Sequence, residues 1–349
     1  MSAMTPAPAS PAPAPPRAAA ISALGLRKSY GGRTVLDGVD LRVPEGTVFA
    51  LLGPDGAGKT TTVRILSTLT AADEGEAQIA GHDLAREPAD VREAIGVTGQ
   101  LPAVDRLLTA EENLLFMADL HHLPRAEGRR RAADLLRRFA LGSAASSPAG
   151  TFPDGMRRRL DFAMTLVGAP RVLFLDEPTT GLDPLSRRTV WEAVRGLVAE
   201  DGVTVFLTTQ YPEEADQLAD HIAVLNRGRV VAEGGPEELR RRVPGGHIRL
   251  QFADTEALDS AAALFGAVVS DPEQLTLQVP SDGGFQILRA VLDVLDDAGL
   301  RAEALTVYTP GLDDVFAALT GQPAPRSSSQ PSPRPVARQP ADSRRESAR

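Results

Sequence analysis

The sequence predicts an α/β fold whose mainly parallel sheet is covered by helices. Three observations predict it. Continuous apolar runs of strand length, at 47–52, 172–175, 203–208 and 222–225, suit strands buried on two faces rather than one. Patterns of helical length lie among them, at 59–69, 110–120, 126–139 and 185–199. Asn226-Arg227-Gly228 then reads as a hairpin turn that adds a short strand.

Composition sets the limits. A chain of 349 residues is long enough for one substantial domain and a smaller one. Residues 1–20 are rich in Pro and Ala, and 321–349 in Ser, Pro, Arg and Gln, so both read as disordered tails. Between them, 21–243 forms the main α/β region and 246–320 a small C-terminal α/β extension, divided by the Pro/Gly-containing stretch 240–247. There is no cysteine, which excludes disulfides and thiolate-bound metals. No stretch approaches the roughly 18 to 20 apolar residues of a membrane span. The N-terminus lacks the basic start and apolar core of a secretory signal. Net charge is −9, yet the 321–349 tail carries six arginines against Asp342 and Glu346. The body is therefore more acidic than the total, which argues against a nucleic-acid partner.

The first apolar run leads into GPDGAGKT at 53–60, which matches G-x-x-x-x-G-K-[ST] between a strand and a helix. Gly53, Gly56 and Gly58 let the backbone wrap so that successive N–H groups face phosphate oxygens. The following helix offers its positive end to the anion. Lys59 is expected to reach the β- and γ-phosphates and Thr60 to give Mg²⁺ a hydroxyl. The stretch Gly53, Pro54, Asp55, Gly56, Ala57, Gly58, Lys59, Thr60 and Thr61 is the expected nucleotide contact. A glycine-rich turn that binds nothing would need neither Lys59 nor Thr60.

The second motif is VLFLDEPTTGLD at 172–183. Asp176, at the end of a buried strand, is placed to hold Mg²⁺. Glu177 is expected to point the other way by strand alternation and to polarise the attacking water. An acidic strand cap would be the ordinary reading without the phosphate loop.

These two motifs, with LFLDEPTTGLDP at 173–184, resemble the ABC ATPases, a P-loop NTPase family. The resemblance spans roughly 21–320 and is closest to the daunorubicin-resistance type of drug-export subunit, on the segments 207–234 and 311–321. It implies a helical subdomain beside the sheet and a chain that binds ATP with Mg²⁺. Tyr30 matches the aromatic residue that stacks on adenine, and Gln210 stands where many members carry histidine, facing phosphate. Gln100 matches the glutamine that joins the core to the helical subdomain and senses Mg²⁺, and Asp183 the aspartate that meets the opposing subunit. The resemblance also implies a second ABC ATPase subunit and an integral membrane permease. The chain would then sit on the inner face of the cell membrane.

The chain departs from the family at 151–160, TFPDGMRRRL. Pro153 and Asp154 stand where a serine and a glycine contact the partner's γ-phosphate. Pro153 offers neither hydroxyl nor N–H, although Pro followed by an acid starts a helix well, so a helix over 155–167 is expected. Arg157, Arg158 and Arg159 are expected to face solvent or acidic neighbours. Asp55 replaces the commoner asparagine. The leading reading is an ATPase that drives export of a drug-like or lipophilic compound. The second is a hydrolysis-impaired partner in a heterodimer. A third, a non-transport ABC protein of translation or repair, is disfavoured by the single P-loop and the lack of sustained heptads.

Overall fold

The computed structural model describes residues 18–99, 103–243, 245–266, 268–281 and 284–322. Gln100 and the tails 1–17 and 323–349 lie outside the described residues.

β1 (Ala19–Tyr30) and β2 (Arg33–Pro44) form an antiparallel hairpin. β3 (Val48–Leu52) runs into α1 (Lys59–Leu66). β4 (Glu74–Ile79) returns to β1, and β5 (His82–Asp83) extends that sheet to the order β2-β1-β4-β5. α2 (Pro88–Ala94) leads to β6 (Ile95–Thr98). Three helices follow, α3 (Ala110–Leu120), α4 (Arg125–Arg138) and α5 (Asp154–Thr165). Then come β7 (Val172–Asp176), α6 (Pro184–Asp201), β8 (Thr204–Thr209), α7 (Pro212–Leu218), β9 (His221–Asn226) and β10 (Arg229–Gly234). After α8 (Pro236–Arg241) the chain forms β11 (His247–Gln251), α9 (Thr255–Phe265), β12 (Val269–Asp271), β13 (Thr276–Pro280), α10 (Phe285–Asp297), β14 (Ala304–Tyr308) and α11 (Leu312–Thr320).

The central sheet has the order β10-β9-β3-β8-β7-β6, parallel except for the β10 edge, which the turn at Arg227 and Gly228 folds back. Its strands bury alternate residues on opposite faces. Ala50, Leu52, Leu173, Leu175, Val205 and Leu207 face the helices α3–α7. Phe49, Leu51, Phe174, Phe206 and Leu225 face α1 and the β1–β2 hairpin. This two-sided burial is why these strands read as continuous apolar runs. Phe49, Phe206 and Phe174 lie side by side across β3, β8 and β7, with ring centroids 5.5 and 5.6 Å apart.

Three boundaries differ from the sequence reading. β1 already begins at Ala19, inside the stretch 1–20 assigned to a tail, because Ala20 is buried and the Ala18 carbonyl accepts the Glu45 amide. The first helix stops at Leu66, short of residue 69, where Thr68 turns to φ 64°. The extension also divides differently. β11–β14 with α9 and α10 enclose their own core around Ile248, Leu250, Phe252 and Leu277. α11 instead sends Leu312, Val315 and Phe316 into the main core.

Phe206 is buried at the centre of the aromatic ladder. Phe206→Ala is expected to destabilise the chain by about 3–5 kcal/mol. Denaturant unfolding checks this.

Candidate nucleotide-binding site

The buried strand β3 delivers the chain into the loop 53–58 at the C-terminal edge of the parallel sheet. The Gly53 amide donates to the Thr209 carbonyl at 3.1 Å, tying the loop to the end of β8. A Cβ at Gly53 would stand 2.4 Å from the Leu225 carbonyl oxygen. At Gly58 it would stand 2.6 Å from Leu36 Cδ2, on a backbone at φ +113°. The N-cap of α1 is Gly58, which has no side chain to cap with, and among the described residues no side chain accepts from the first amides of the helix, which suits them to an anion. Lys59 is only 4% exposed. Its Nζ donates to the carbonyls of Gly53 at 2.9 Å and Pro54 at 3.1 Å, and pairs with Glu177 Oε1 at 3.2 Å. Asp55, mostly exposed, lies 3.8 Å from the same Nζ.

Asp176 closes β7. Its Oδ1 accepts from Thr208 Oγ1 at 2.6 Å and from Thr60 Oγ1 at 3.3 Å. Strand alternation does not hold for Glu177, contrary to expectation. β7 ends at Asp176, and Glu177 adopts φ 51°. Its carboxylate therefore turns to the P-loop through Lys59, while Asp176 reaches the same loop through Thr60. A non-glycine residue in this region costs of order 1–3 kcal/mol and persists only where surroundings fix it. Here the Glu177 amide donates to both the carbonyl and Oγ1 of Thr208, each at 3.1 Å. The oxygens of Thr60 and Asp176 form the kind of hard donor set that suits Mg²⁺.

A cleft of roughly 430 Å³ brings together Tyr30, Asp55, Gly56, Gly58, Lys59, Thr60, Thr61 and Glu177. Tyr30 stands at the end of β1, half exposed, with Lys28 Nζ 5.4 Å from its ring centre. Arg33 also lines the cleft, and the sequence reading missed it. No motif spacing marks an exposed arginine after a Gly-Gly turn. Gly53, Pro54 and Ala57 form the loop's inner turn, with Ala57 buried beneath it. Gln210 follows β8 directly, half-buried, and is not among the residues lining the cleft.

Two neighbouring features bear on the motif. Asp183 caps α6, accepting the amides of Leu185 and Ser186 at 3.0 Å. The Ser186 hydroxyl bond and these amides hold its carboxyl below the usual range. At the divergent segment, Pro153 is the N-cap of α5 and Asp154 its first residue, one position before the expected start. Asp154 is exposed and ion-paired with Arg157, which also donates to the Phe152 carbonyl. Arg159 donates to the Phe139 carbonyl at 2.9 Å. Arg158 meets an acidic neighbour rather than solvent. It is buried, beside Asp161 at 3.2 Å.

A glycine loop feeding an uncapped helix, a buried lysine and an acid pair at the end of β7, one strand removed in the same parallel sheet, define a P-loop nucleoside triphosphatase. Residues 36–180 match the ABC transporter family. The chain is 47% identical to the daunorubicin resistance ATP-binding protein DrrA2 of Streptomyces coeruleorubidus, over 86% of this chain and 95% of that one. It is 46% identical to the daunorubicin/doxorubicin resistance ATP-binding protein DrrA of Streptomyces peucetius, over 87% and 93%. Among solved structures, an ATP-binding subunit of an ABC transporter superposes with a TM-score of 0.57 at 32% identity, covering 64% of this chain and 92% of that one. An ATP-binding cassette in its ADP conformation superposes with a TM-score of 0.58 at 26% identity, covering 63% and 92%. The chain belongs to the ATP-binding subunits of ABC transporters, and within them to the daunorubicin-resistance type. It is an ATPase.

Gly58→Ala forces a methyl into Leu36 at a left-handed residue. ATP affinity is expected to fall at least about tenfold, or about 1.4 kcal/mol. Equilibrium binding of labelled ATP to the purified chain measures it.

Proposed function

We propose that this chain hydrolyses Mg²⁺-bound ATP to drive export of a drug-like or lipophilic compound through a separate membrane permease. The observation that supports the catalytic part is one bonded cluster at the sheet edge, in which Thr60 meets Asp176 and Lys59 meets Glu177. Lys59 and the amides of α1 bind the β- and γ-phosphates. Tyr30 offers its ring to the adenine. Thr60 and Asp176 would hold Mg²⁺, with Gln100 as a further contact. When bound, the ion neutralises phosphate charge. Glu177 orients and deprotonates the attacking water, which adds to the γ-phosphorus as the bond to the β-phosphate oxygen breaks. Gln210 donates a hydrogen bond to a phosphate oxygen.

The names of the relatives support the export of a daunorubicin-like compound. Among the described residues no helix is long and apolar enough to cross a membrane, so a permease would carry the substrate path. The exposed Leu107, Phe116 and Leu120 on and beside α3 are suitable apolar contacts for it. A second ATPase subunit would complete each ATP site, and the assembly would lie on the cytoplasmic face of the membrane.

Glu177→Gln keeps the shape of the side chain and removes the base. Hydrolysis is expected to fall at least about a hundredfold while ATP affinity stays within about threefold. Phosphate release and equilibrium ATP binding measure the two quantities. A variant that hydrolyses at the parental rate contradicts the assignment.

A further inference from the structure

Glu177 holds a left-handed backbone with no glycine to ease it, so its neighbours must fix the turn. A buried guanidinium and a buried carboxyl group from two different helices grip the residues that follow it. Arg158 of α5 donates through Nε to the Pro178 carbonyl at 3.0 Å. Glu214 of α7 accepts the Thr179 hydroxyl at 2.8 Å and the Trp191 indole N–H at 3.2 Å. Arg158 reaches further. Its Nη1 donates to the Gly99 carbonyl at 2.8 Å and to Asp161 at 3.2 Å, and Asp161 accepts the Ala103 amide at 2.8 Å. One guanidinium thus joins α5, the residue after β6 and the turn after β7.

Stability alone explains this arrangement poorly. Arg158 and Asp161 are 3% and 2% exposed. A buried ion pair gains little over apolar packing of similar volume. Arg158 Nη2 also has no hydrogen-bond partner among the described residues, which adds a cost. What the planar fork does supply is fixed geometry between two carbonyls, which the ammonium of a lysine cannot span.

We propose that Arg158 is a positioning residue for Glu177: by holding the carbonyls of Pro178 and Gly99 it keeps the turn after β7 in the form that aims the Glu177 carboxylate at the P-loop. The inference rests on Glu177 as the base. It also links that carboxylate to the helix whose first turn carries Pro153 and Asp154.

The test compares Arg158→Lys, Arg158→Met, Glu177→Gln and the Arg158→Lys/Glu177→Gln double variant in the full chain. Steady-state and single-turnover hydrolysis, ATP affinity and thermal melting are read for each. Arg158→Lys keeps the buried charge but not the fork. It should lower kcat by about tenfold to a hundredfold, the scale of a misplaced catalytic group, with ATP affinity within about twofold. Arg158→Met should lower kcat at least as far, and the double variant should be no slower than Glu177→Gln alone. Unchanged kcat in Arg158→Lys, parallel loss of ATP binding, or a further loss in the double variant overturns the inference. Failure of Arg158→Lys to fold overturns it too, since the guanidinium would then serve the fold. If Glu177→Gln itself hydrolyses normally, the base assignment fails first. If Glu177→Gln is inactive and Arg158→Lys is not, only the positioning role fails.

Discussion

The ammonium of Lys59 is 4% exposed, and a charge so placed is costly unless partners surround it. Its partners are two carbonyls of its own loop and the Glu177 carboxylate. Glu177 directly follows β7, more than a hundred residues further along the chain, so this contact dictates long-range structure. β3 and β7 must end at the same edge of one sheet, pointing the same way. A parallel sheet does this, and the single strand between them, β8, is bonded to both.

β8 acts as the bridge. Thr209 accepts the first amide of the P-loop, while Thr208 contacts both Asp176 and Glu177. The sheet beneath holds these ends in register through apolar residues packed on both faces. Rigid packing below and hydrogen bonds above place the groups more tightly than a loop could alone.

Much of this was legible in the sequence because the relevant signals are local. The P-loop spacing at 53–60 marks its glycines, Lys59 and Thr60 without reference to the rest of the chain. The two-sided strands show as unbroken apolar runs, since both alternating sets are buried. Other parts depend on contacts distant in sequence. Thr208 lies in the apolar run 203–208 and Thr209 just beyond it, and their roles depend on β8 lying between the two motifs. The direction of Glu177 departs from strand alternation because the strand stops at Asp176, one residue earlier. For Arg158 the sequence leaves solvent and an acidic neighbour open, and the structure selects the acid Asp161. The burial of Arg158 follows from the approach of α5 to the ends of β6 and β7, which no spacing encodes. The sequence likewise gave no sign that α11 leaves the extension for the main core.

The central claim is that the buried ammonium and the main-chain amides around it bind the polyphosphate of ATP. Lys59→Ala tests it most directly, by equilibrium binding of labelled ATP together with far-UV circular dichroism. The account predicts a folded protein whose affinity for ATP falls at least about a hundredfold, or about 2.7 kcal/mol. A folded Lys59→Ala chain that takes up ATP as well as the parent does would contradict it.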